Sequence, residues 1–513
     1  MTELYRTDHR HIIKRIIVRG ILVLDTPTSL GQGDTDSPTD LPLLRDSLYD
    51  NYALLTGSSI AGSLRNYLRE RDKGYGQSDR RNDLSATLFG DLFAYKDEKK
   101  ESETEKIKLR EQDNQSLLIV DDAISTEPIK AELRDGVKIN SVTGTAEDKA
   151  KYDLELLQAG TEFTLSFELL IEKDNDEATL CKALAIALQG LEPQNGSKSG
   201  EICLGMKKRR GFGRCHVKEW QVWNFNLEDP GDRTAWLNFE HWRTDLLPDR
   251  TTYPSIATAL GVSLENESDR RDRFVIHAQF QLVGSLLIRS GQDSTGRAPD
   301  VVHLKSHQPD SPNPESVLSG TSLAGVLRHR AERIVNTLGG SSTLVKELFG
   351  FVEGKEAQSS RLVVCEKVIK NATELVQTRI AIDRFTGGAY HGALFEEQPI
   401  FGGDKTLVTV ELELRKPEKY EIGLLLLLLK DLWTSDLPVG GESSIGRGRL
   451  KGIKADLIWH HPDNPQQWTI YEENDELKII DSINPTQSEK SVRDKLEGFV
   501  KELWAHLEKE VEV

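Results

Sequence analysis

Cysteine is scarce in this sequence: there are four in 513 residues, scattered and without a paired framework. That scarcity excludes a disulfide-stapled secreted scaffold and fits a reducing cytoplasm. Long apolar runs are missing as well. The longest, Leu424 to Leu429, falls far short of the roughly 20 residues that a membrane-spanning helix needs and reads as one flank of a buried helix. No N-terminal stretch joins a charged start to an apolar middle, as a signal peptide does. The expectation is a cytoplasmic protein with no membrane partner. A positive charge excess is also absent. The formal balance is −17 at pH 7, which argues against a protein that binds polyanions with its whole surface.

What is present is enough apolar material for packed cores, with 37% hydrophobic residues, 8 Trp, 15 Phe and 11 Tyr. The length exceeds one ordinary core and predicts two or three domains. Charge is unevenly distributed. Between Gly205 and Trp220 stand Lys207, Lys208, Arg209, Arg210, Arg214 and Lys218 against Glu219 alone, whereas the run from Asp97 to Glu111 and the tail after His461 are acidic. A local basic groove on an acidic body would limit unspecific binding.

The chain repeats itself. Thr56-Gly-Ser-Ser-Ile-Ala-Gly-Ser-Leu-Arg65 is matched by Ser319-Gly-Thr-Ser-Leu-Ala-Gly-Val-Leu-Arg328. In both, a Ser or Thr cap and a Gly turn precede apolar residues at helical spacing, Ile60, Leu64 and Leu68 or Leu323, Leu327 and Ile334. Leu88-Phe-Gly90 and Leu348-Phe-Gly350 then give equivalent stops. Next, Arg134 to Asn140 and Arg379 to Arg384 lead into turn-rich excursions that return through Tyr152 to Leu157 and Tyr390 to Phe395. This pattern reads as a long hairpin before a strand of alternating character. Finally, Gly205-Met-Lys-Lys-Arg-Arg-Gly-Phe-Gly-Arg214 and Gly440-Gly-Glu-Ser-Ser-Ile-Gly-Arg-Gly-Arg449 each follow a Leu- and Ala-rich helix and run into a closing strand. Each copy thus reads strand, helix, hairpin, helix, strand, which predicts an α+β fold of two tandem ferredoxin-like or RRM-like modules. The copies are expected over residues 1–228 and 272–460. An ordered connector spans 229–271, and an acidic extension over 461–513 ends in an amphipathic helix carrying Leu496, Phe499, Val500, Leu503, Trp504, Leu507 and Val511.

The landmarks carry chemistry. A capped helix start offers free N–H groups and the positive end of a dipole to a phosphate, which nominates Ser58, Ser59 and Arg65 in the first copy and Thr321, Ser322 and Arg328 in the second. Glycines let a backbone approach a nucleic-acid strand, and neighbouring arginines supply charge-assisted bonds. The candidates there are Lys207, Lys208, Arg209, Arg210 and Arg214, then Arg447 and Arg449. The hairpin entries add Arg134, Lys138, Arg379 and Arg384. Arg210-Gly-Phe-Gly-Arg214 is similar to part of an RNP signature, but Arg214 replaces the aromatic residue that stacks bases. The loops before the capped helices hold Asp34, Asp36, Asp40 and Asp46, then Asp293, Asp300 and Asp310 near His303 and His307. Ionised loop aspartates suit oxygen ligation of Mg²⁺; simple turn capping is the plainer reading. Cys203, Cys215 and His216 lack a CxxC pair and read as buried thiols beside an ordinary histidine.

Taken together, the Gly-Ser-Ser turn, the arginine-bearing strand entering a hairpin and the final Gly-x-Gly-Arg loop resemble the RAMP proteins of type III CRISPR effector complexes. The likeness covers both copies and is nearest to the backbone subunits that line a guide RNA, here two in one chain as in type III-D-like systems. The resemblance implies a palm that grips guide RNA and a thumb hairpin, over Ile139 to Leu154 and Ile382 to Leu394, that splays the complementary target RNA. Catalytic members use an aspartate in the pattern Asp-x-Pro-hydrophobic-hydrophobic-basic-Asp. Asp40-Leu-Pro-Leu-Leu-Arg-Asp46 matches it fully, whereas Asp300-Val-Val-His-Leu-Lys-Ser306 lacks the Pro and the last Asp. The resemblance therefore implies Asp40 and Asp300 as catalytic residues and ligands of a divalent metal, Mg²⁺ or Mn²⁺, with Asp36, Asp34 and Asp293 as rivals. The implied partners are guide RNA, target RNA, and neighbouring backbone, large and small effector subunits. Two readings compete with this metal-dependent endoribonuclease: a structural, non-catalytic guide-RNA-binding subunit, and an unrelated tandem RRM-like RNA binder.

Overall fold

The computed structural model describes residues 10–31, 40–49, 51–80, 83–91, 114–140, 143–194, 196–265, 267–290, 299–474 and 476–511. The first module begins with β1 (Ile12–Leu24), a run rich in β-branched residues that is buried on both faces from Ile16 to Gly20. Such a strand belongs in the middle of a sheet. It pairs antiparallel with strands that follow much later. After α1 (Gly57–Lys73) come β2 (Leu118–Val120), the hairpin β3 (Ala131–Ile139) and β4 (Ala146–Leu157), β5 (Glu162–Glu172), α2 (Glu177–Gln189) and β6 (Cys215–Asn226). The sheet order is β2-β5-β1-β6. This is the ferredoxin-like order, with β3 and β4 forming a separate two-stranded ribbon.

Local signals place both helices. The Thr56 side chain accepts the Ser59 N–H at the start of α1, and Gly74, at φ 88°, ends it by donating to the Glu70 carbonyl. Ile60, Leu64 and Leu68 face inward against Phe163, Phe167 and Trp220 in one core. The opposite face of the sheet is covered by the connector. Ile17, Trp223 and Phe225 pack with Trp236, Phe239 and Leu247. Arg19, 1% exposed, donates to the Glu240 carbonyl at 2.8 Å with its guanidinium over the Phe239 ring.

The second module repeats the plan with β7 (Arg273–Val283), α3 (Gly320–Thr337), β8 (Leu362–Val364), the ribbon β9 (Gln377–Ile382) and β10 (Ala389–Gln398), β11 (Leu407–Arg415), α4 (Lys419–Trp433) and β12 (Arg449–His460). Its sheet is longer, in the order β8-β11-β7-β12-β13-β14, because β13 (Gln466–Glu473) and β14 (Glu476–Asp481) extend it beyond β12. The acidic segment after residue 460 is thus part of the second sheet. The final helix, α5 (Glu489–Val511), docks within the same chain. Val492, Leu496, Phe499, Leu503 and Leu507 are buried in the second core, each contributing roughly 1.5–3 kcal/mol of apolar transfer free energy. A Cβ on Gly423 would lie 2.2 Å from the Phe499 carbonyl oxygen, so glycine lets α4 and α5 approach closely.

Candidate functional site

The aspartate loops and the projecting ribbons meet in the same way in both modules. Asp40 Oδ2 accepts the N–H of Asp153 at 2.9 Å, and Leu41 bridges Leu154 in parallel sense. Asp300 Oδ2 accepts the N–H of Glu396 at 2.9 Å, and Val301 pairs with Glu397, again in parallel. Asp40 and Asp300 therefore occupy equivalent positions, each exposed at the foot of a ribbon. In the first module the Glu155 carboxylate tightens the joint, accepting from the Leu43 N–H at 3.0 Å and the Arg45 guanidinium at 2.6 Å. Asp46 closes a local turn by accepting the Leu48 and Tyr49 N–H groups, and Asp310 pairs with Lys198. Asp34, Asp36 and Asp293 lie outside the described residues, as does the acidic run from Asp97 to Glu111.

The ribbons carry apolar side chains with no cover. Phe385 at the tip of the second is fully exposed, and Ile382, Tyr390 and Leu394 are more than half exposed. Leu133, Val137 and Ile139 of the first are exposed to a lesser degree, half or less. A two-stranded ribbon has no core of its own, and bare apolar residues along it mark a surface that contacts something else.

The two glycine-rich loops share one backbone. Lys207 and Glu442 take left-handed φ values of 52° and 59°, a single 3-10 turn follows, and Gly211 and Gly446 close it at φ 90° and 87°. Their surroundings differ, and this corrects much of the expected RNA-binding set. The first loop is plugged into the second module. Arg210 donates to the carbonyls of Leu362 and Phe349, both at 3.2 Å, and meets no carboxylate among the described residues. Burial and then the nearby Arg328 and Arg209 push its pKa down to about 10. Arg214 binds the Glu411 carboxylate at 2.8 Å. Burial opposes its charge, but Cys365 and Glu411 outweigh that and hold the pKa above the ordinary arginine value.

Arg134, read from sequence as an RNA contact, is 4% exposed. It makes a two-pronged bond to Glu366 of the second module, 2.9 Å at each nitrogen. Glu132 beside it reaches Ser306 and His307. Burial disfavours the Arg134 charge, yet Glu366 and then Glu132 keep it firmly protonated. A further seam cluster joins Glu201 to Arg271 at 2.7 Å and Arg273 at 2.9 Å. Arg134, Arg210 and Arg214 thus bind one module to the other. Arg209 is mostly enclosed and its pKa is lowered, by burial first and Arg415 next. Lys207 turns onto the Tyr152 ring and hydroxyl.

Arg447, in the place of Phe212, is 2% exposed and paired with Glu397 and Glu442; Arg379 joins the same carboxylates. Of the expected RNA-binding cations, Lys138, Lys208, Arg384 and Arg449 are exposed, Lys138 with its ammonium 2.9 Å from Glu147.

The helix starts are also less open than their capping pattern suggests. Asp122 Oδ1 takes the Gly57 N–H at 2.6 Å, while Ser58 and Ser59 remain exposed. The α3 start is occluded, because a Cβ on Gly320 would lie 2.3 Å from the Arg210 carbonyl; Thr321 and Ser322 are half-buried there. Arg65 binds Asp79 at 2.9 Å, and Arg328 binds the Gly350 carbonyl and Glu332. His303 is a core residue. Cys215 is buried, and His216 pairs with Asp25 at 2.8 Å.

Would these residues suit a divalent metal? No cluster of three or more His, Cys, Asp or Glu ligands occurs among the described residues, so a closed protein cage is not built here. At the foot of the first ribbon Asp40 adjoins Asp153, whose buried Oδ1 accepts no hydrogen bond, with the Lys151 ammonium 3.8 Å away. One or two carboxylates completed by water and phosphate oxygens is the usual protein share of a Mg²⁺ site. Asp40 and Asp300, each an exposed carboxylate with one oxygen held by an amide, fit that share.

A ferredoxin-like sheet with a long ribbon inserted between its second and third strands, present twice in tandem, defines the class of architecture. The chain belongs to the RAMP superfamily, whose pattern matches residues 22–216 and 279–451 and so falls on both modules. Members of this family are generally CRISPR-associated RNA-binding proteins that work in RNA–protein complexes, and some are ribonucleases. No curated protein matches the sequence. No helix among the described residues is long and apolar enough to cross a membrane.

Proposed function

We propose that this chain is a double backbone subunit of a type III CRISPR effector complex, which holds guide RNA and cuts complementary target RNA beside Asp40 and Asp300. The observation that carries the reading is the repeated joint: the same carboxylate fastened to the same ribbon strand, 2.9 Å from its amide in each module. One oxygen of each aspartate is fixed by that amide, so the carboxylate keeps a set orientation beside a ribbon bearing bare apolar side chains. Those side chains suit insertion between bases, which would turn one target ribose out of the helical stack and bring its 2′-OH toward the adjacent phosphate. A bound Mg²⁺ or Mn²⁺ would neutralise charge building on that phosphate. DNA would be spared because it lacks the 2′-OH. Lys138, Lys208, Arg384 and Arg449, all exposed, are the cations that would hold RNA phosphates.

A second reading rests on the same hydrogen bond. An aspartate that accepts a ribbon amide already has a structural task, and a purely structural guide-RNA-binding subunit would need no more. Target cleavage by the assembled, guide-loaded complex separates the two. With Asp40→Asn, Asp300→Asn or both, the expected result is loss of one product per substitution while complex assembly is retained. Unchanged products from the double variant would leave the structural reading standing.

A further inference from the structure

The seam between modules consists of a plug and a socket, and a second socket of the same construction stands on the first module, unfilled among the described residues. In the occupied socket, on the second module, the Arg210 guanidinium reaches the Leu362 and Phe349 carbonyls and lies 3.4 Å from Ser360 Oγ. Ser360 is itself fixed, donating to the carbonyls of Leu362 at 2.6 Å and Leu348 at 3.2 Å. The first module holds a cleft of about 360 Å³ lined by Gly57, Ser58, Gly62, Arg65, Ser116 and Leu118. These residues stand where Gly320, Thr321, Gly325, Arg328, Ser360 and Leu362 stand in the second. The detail repeats as well. Ser116 Oγ donates to the Leu118 carbonyl at 2.7 Å and the Leu88 carbonyl at 3.3 Å. A Cβ on Gly57 would come 2.3 Å from the Val120 carbonyl, as one on Gly320 would come 2.4 Å from that of Val364.

Charge admits an incoming cation at this socket as it does at the filled one. Arg328, which opposes the charge of Arg210, has Arg65 as its counterpart, and Arg65 is neutralised by the buried Asp79. Glu366, which receives Arg134, has Asp122 as its counterpart.

We infer that this cleft is an arginine socket, which docks a different RAMP-type chain through a glycine-flanked turn carrying arginine at the position of Arg210. The occupant is not a second copy of this chain. The loop that would have to enter carries Glu442, Ser443, Ser444 and Ile445 where the first carries Lys207, Lys208, Arg209 and Arg210. Ile445 is exposed but has nothing to donate to a carbonyl, and Glu442 is engaged by Arg447 and Arg379. The inference rests on the internal repeat alone and needs no RNA, so its failure would leave the proposed activity untouched.

Converting that second loop to the first one's sequence, with E442K, S443K, S444R and I445R together in the full chain, is the direct test. Sedimentation velocity should show the native chain monomeric and the grafted chain associating head to tail at micromolar concentration. Gly62→Trp should then abolish association, because a Cβ at Gly62 meets open space and the indole would fill the cleft without disturbing α1. Ser58→Tyr plugs it from another wall. In parallel, a fluorescein-labelled peptide of residues 205–214 should bind the native chain at least tenfold more tightly than its Arg210→Ile version, and lose that advantage on Gly62→Trp. Association in either experiment that the plug removes supports the socket. Association in neither, or association indifferent to both plugs, overturns it.

Discussion

Asp40 holds the amide of Asp153 through a single carboxylate oxygen, so the loop before the first helix and the returning strand of the ribbon are joined by a group that also carries charge. The two roles can be separated. Asp40→Ala removes an acceptor and should lower the stability of the free chain by about 1 kcal/mol, whereas Asp40→Asn keeps an oxygen for the amide and should cost much less. Both should abolish one cleavage product of the assembled complex. Thermal unfolding of the free chain beside product mapping checks this, and an Asn variant as destabilised as the Ala variant rejects the fastening role.

Arg134 and Glu366 form a buried pair across the seam. Removing one partner strands the other charge, so Arg134→Ala or Glu366→Ala should destabilise the chain by about 3–5 kcal/mol. The double replacement Arg134→Ala with Glu366→Ala should cost clearly less than the two single losses added together, with Glu132 still missing its bond from Arg134. Urea unfolding of the three variants measures it, and strict additivity of the two single effects would refute the coupling.

The repeat and the ferredoxin order are legible in the sequence because their signals are local: caps, glycine stops and apolar spacing within one helix or strand. The equivalence of Asp40 and Asp300 is visible as well, since each opens a run of apolar residues and a basic one in the loop ahead of its helix. The fate of the basic loop is not. Arg134 meets its carboxylate 232 residues away and Arg214 meets Glu411 at a separation of 197. A cationic stretch looks the same in one dimension whether it faces phosphates or another module's glutamates. The second loop had a clue in Ile445 and Glu442, which show that its chemistry had diverged from Arg210 and Lys207.

His303 supplies a pH signature. Its Nδ1 accepts the Ile288 N–H and its Nε2 donates to the Val317 carbonyl, each at 3.2 Å. Burial pulls its pKa from the ordinary 6.5 down to about 4. Below pH 6.5 the unfolded chain takes up a proton that the folded chain refuses. The contribution of this residue is therefore full above the unfolded value and declines as pH falls toward about 4, by on the order of 3 kcal/mol in all. The native chain minus His303→Gln, compared by urea midpoint across that window, should show this decline. Identical acid limbs would reject it.

Lys208 and Arg384 are exposed and should act as simple phosphate contacts in the assembled complex. Lys208→Ala and Arg384→Ala should each weaken guide-RNA binding similarly across guide sequences and flatten the salt dependence by about one unit of slope or slightly less. Titrations at several salt concentrations test this. A loss confined to one guide sequence would point to base reading instead.

The bond between Arg134 at the root of one ribbon and Glu366 in the neighbouring module gives the pair of ribbons a fixed phase. They behave as two teeth of one comb, and the interval between them is a constant of the polypeptide, independent of whatever lies along it. A separate pair of subunits would have to find that interval anew at every assembly; in this chain it is set once, when the chain folds.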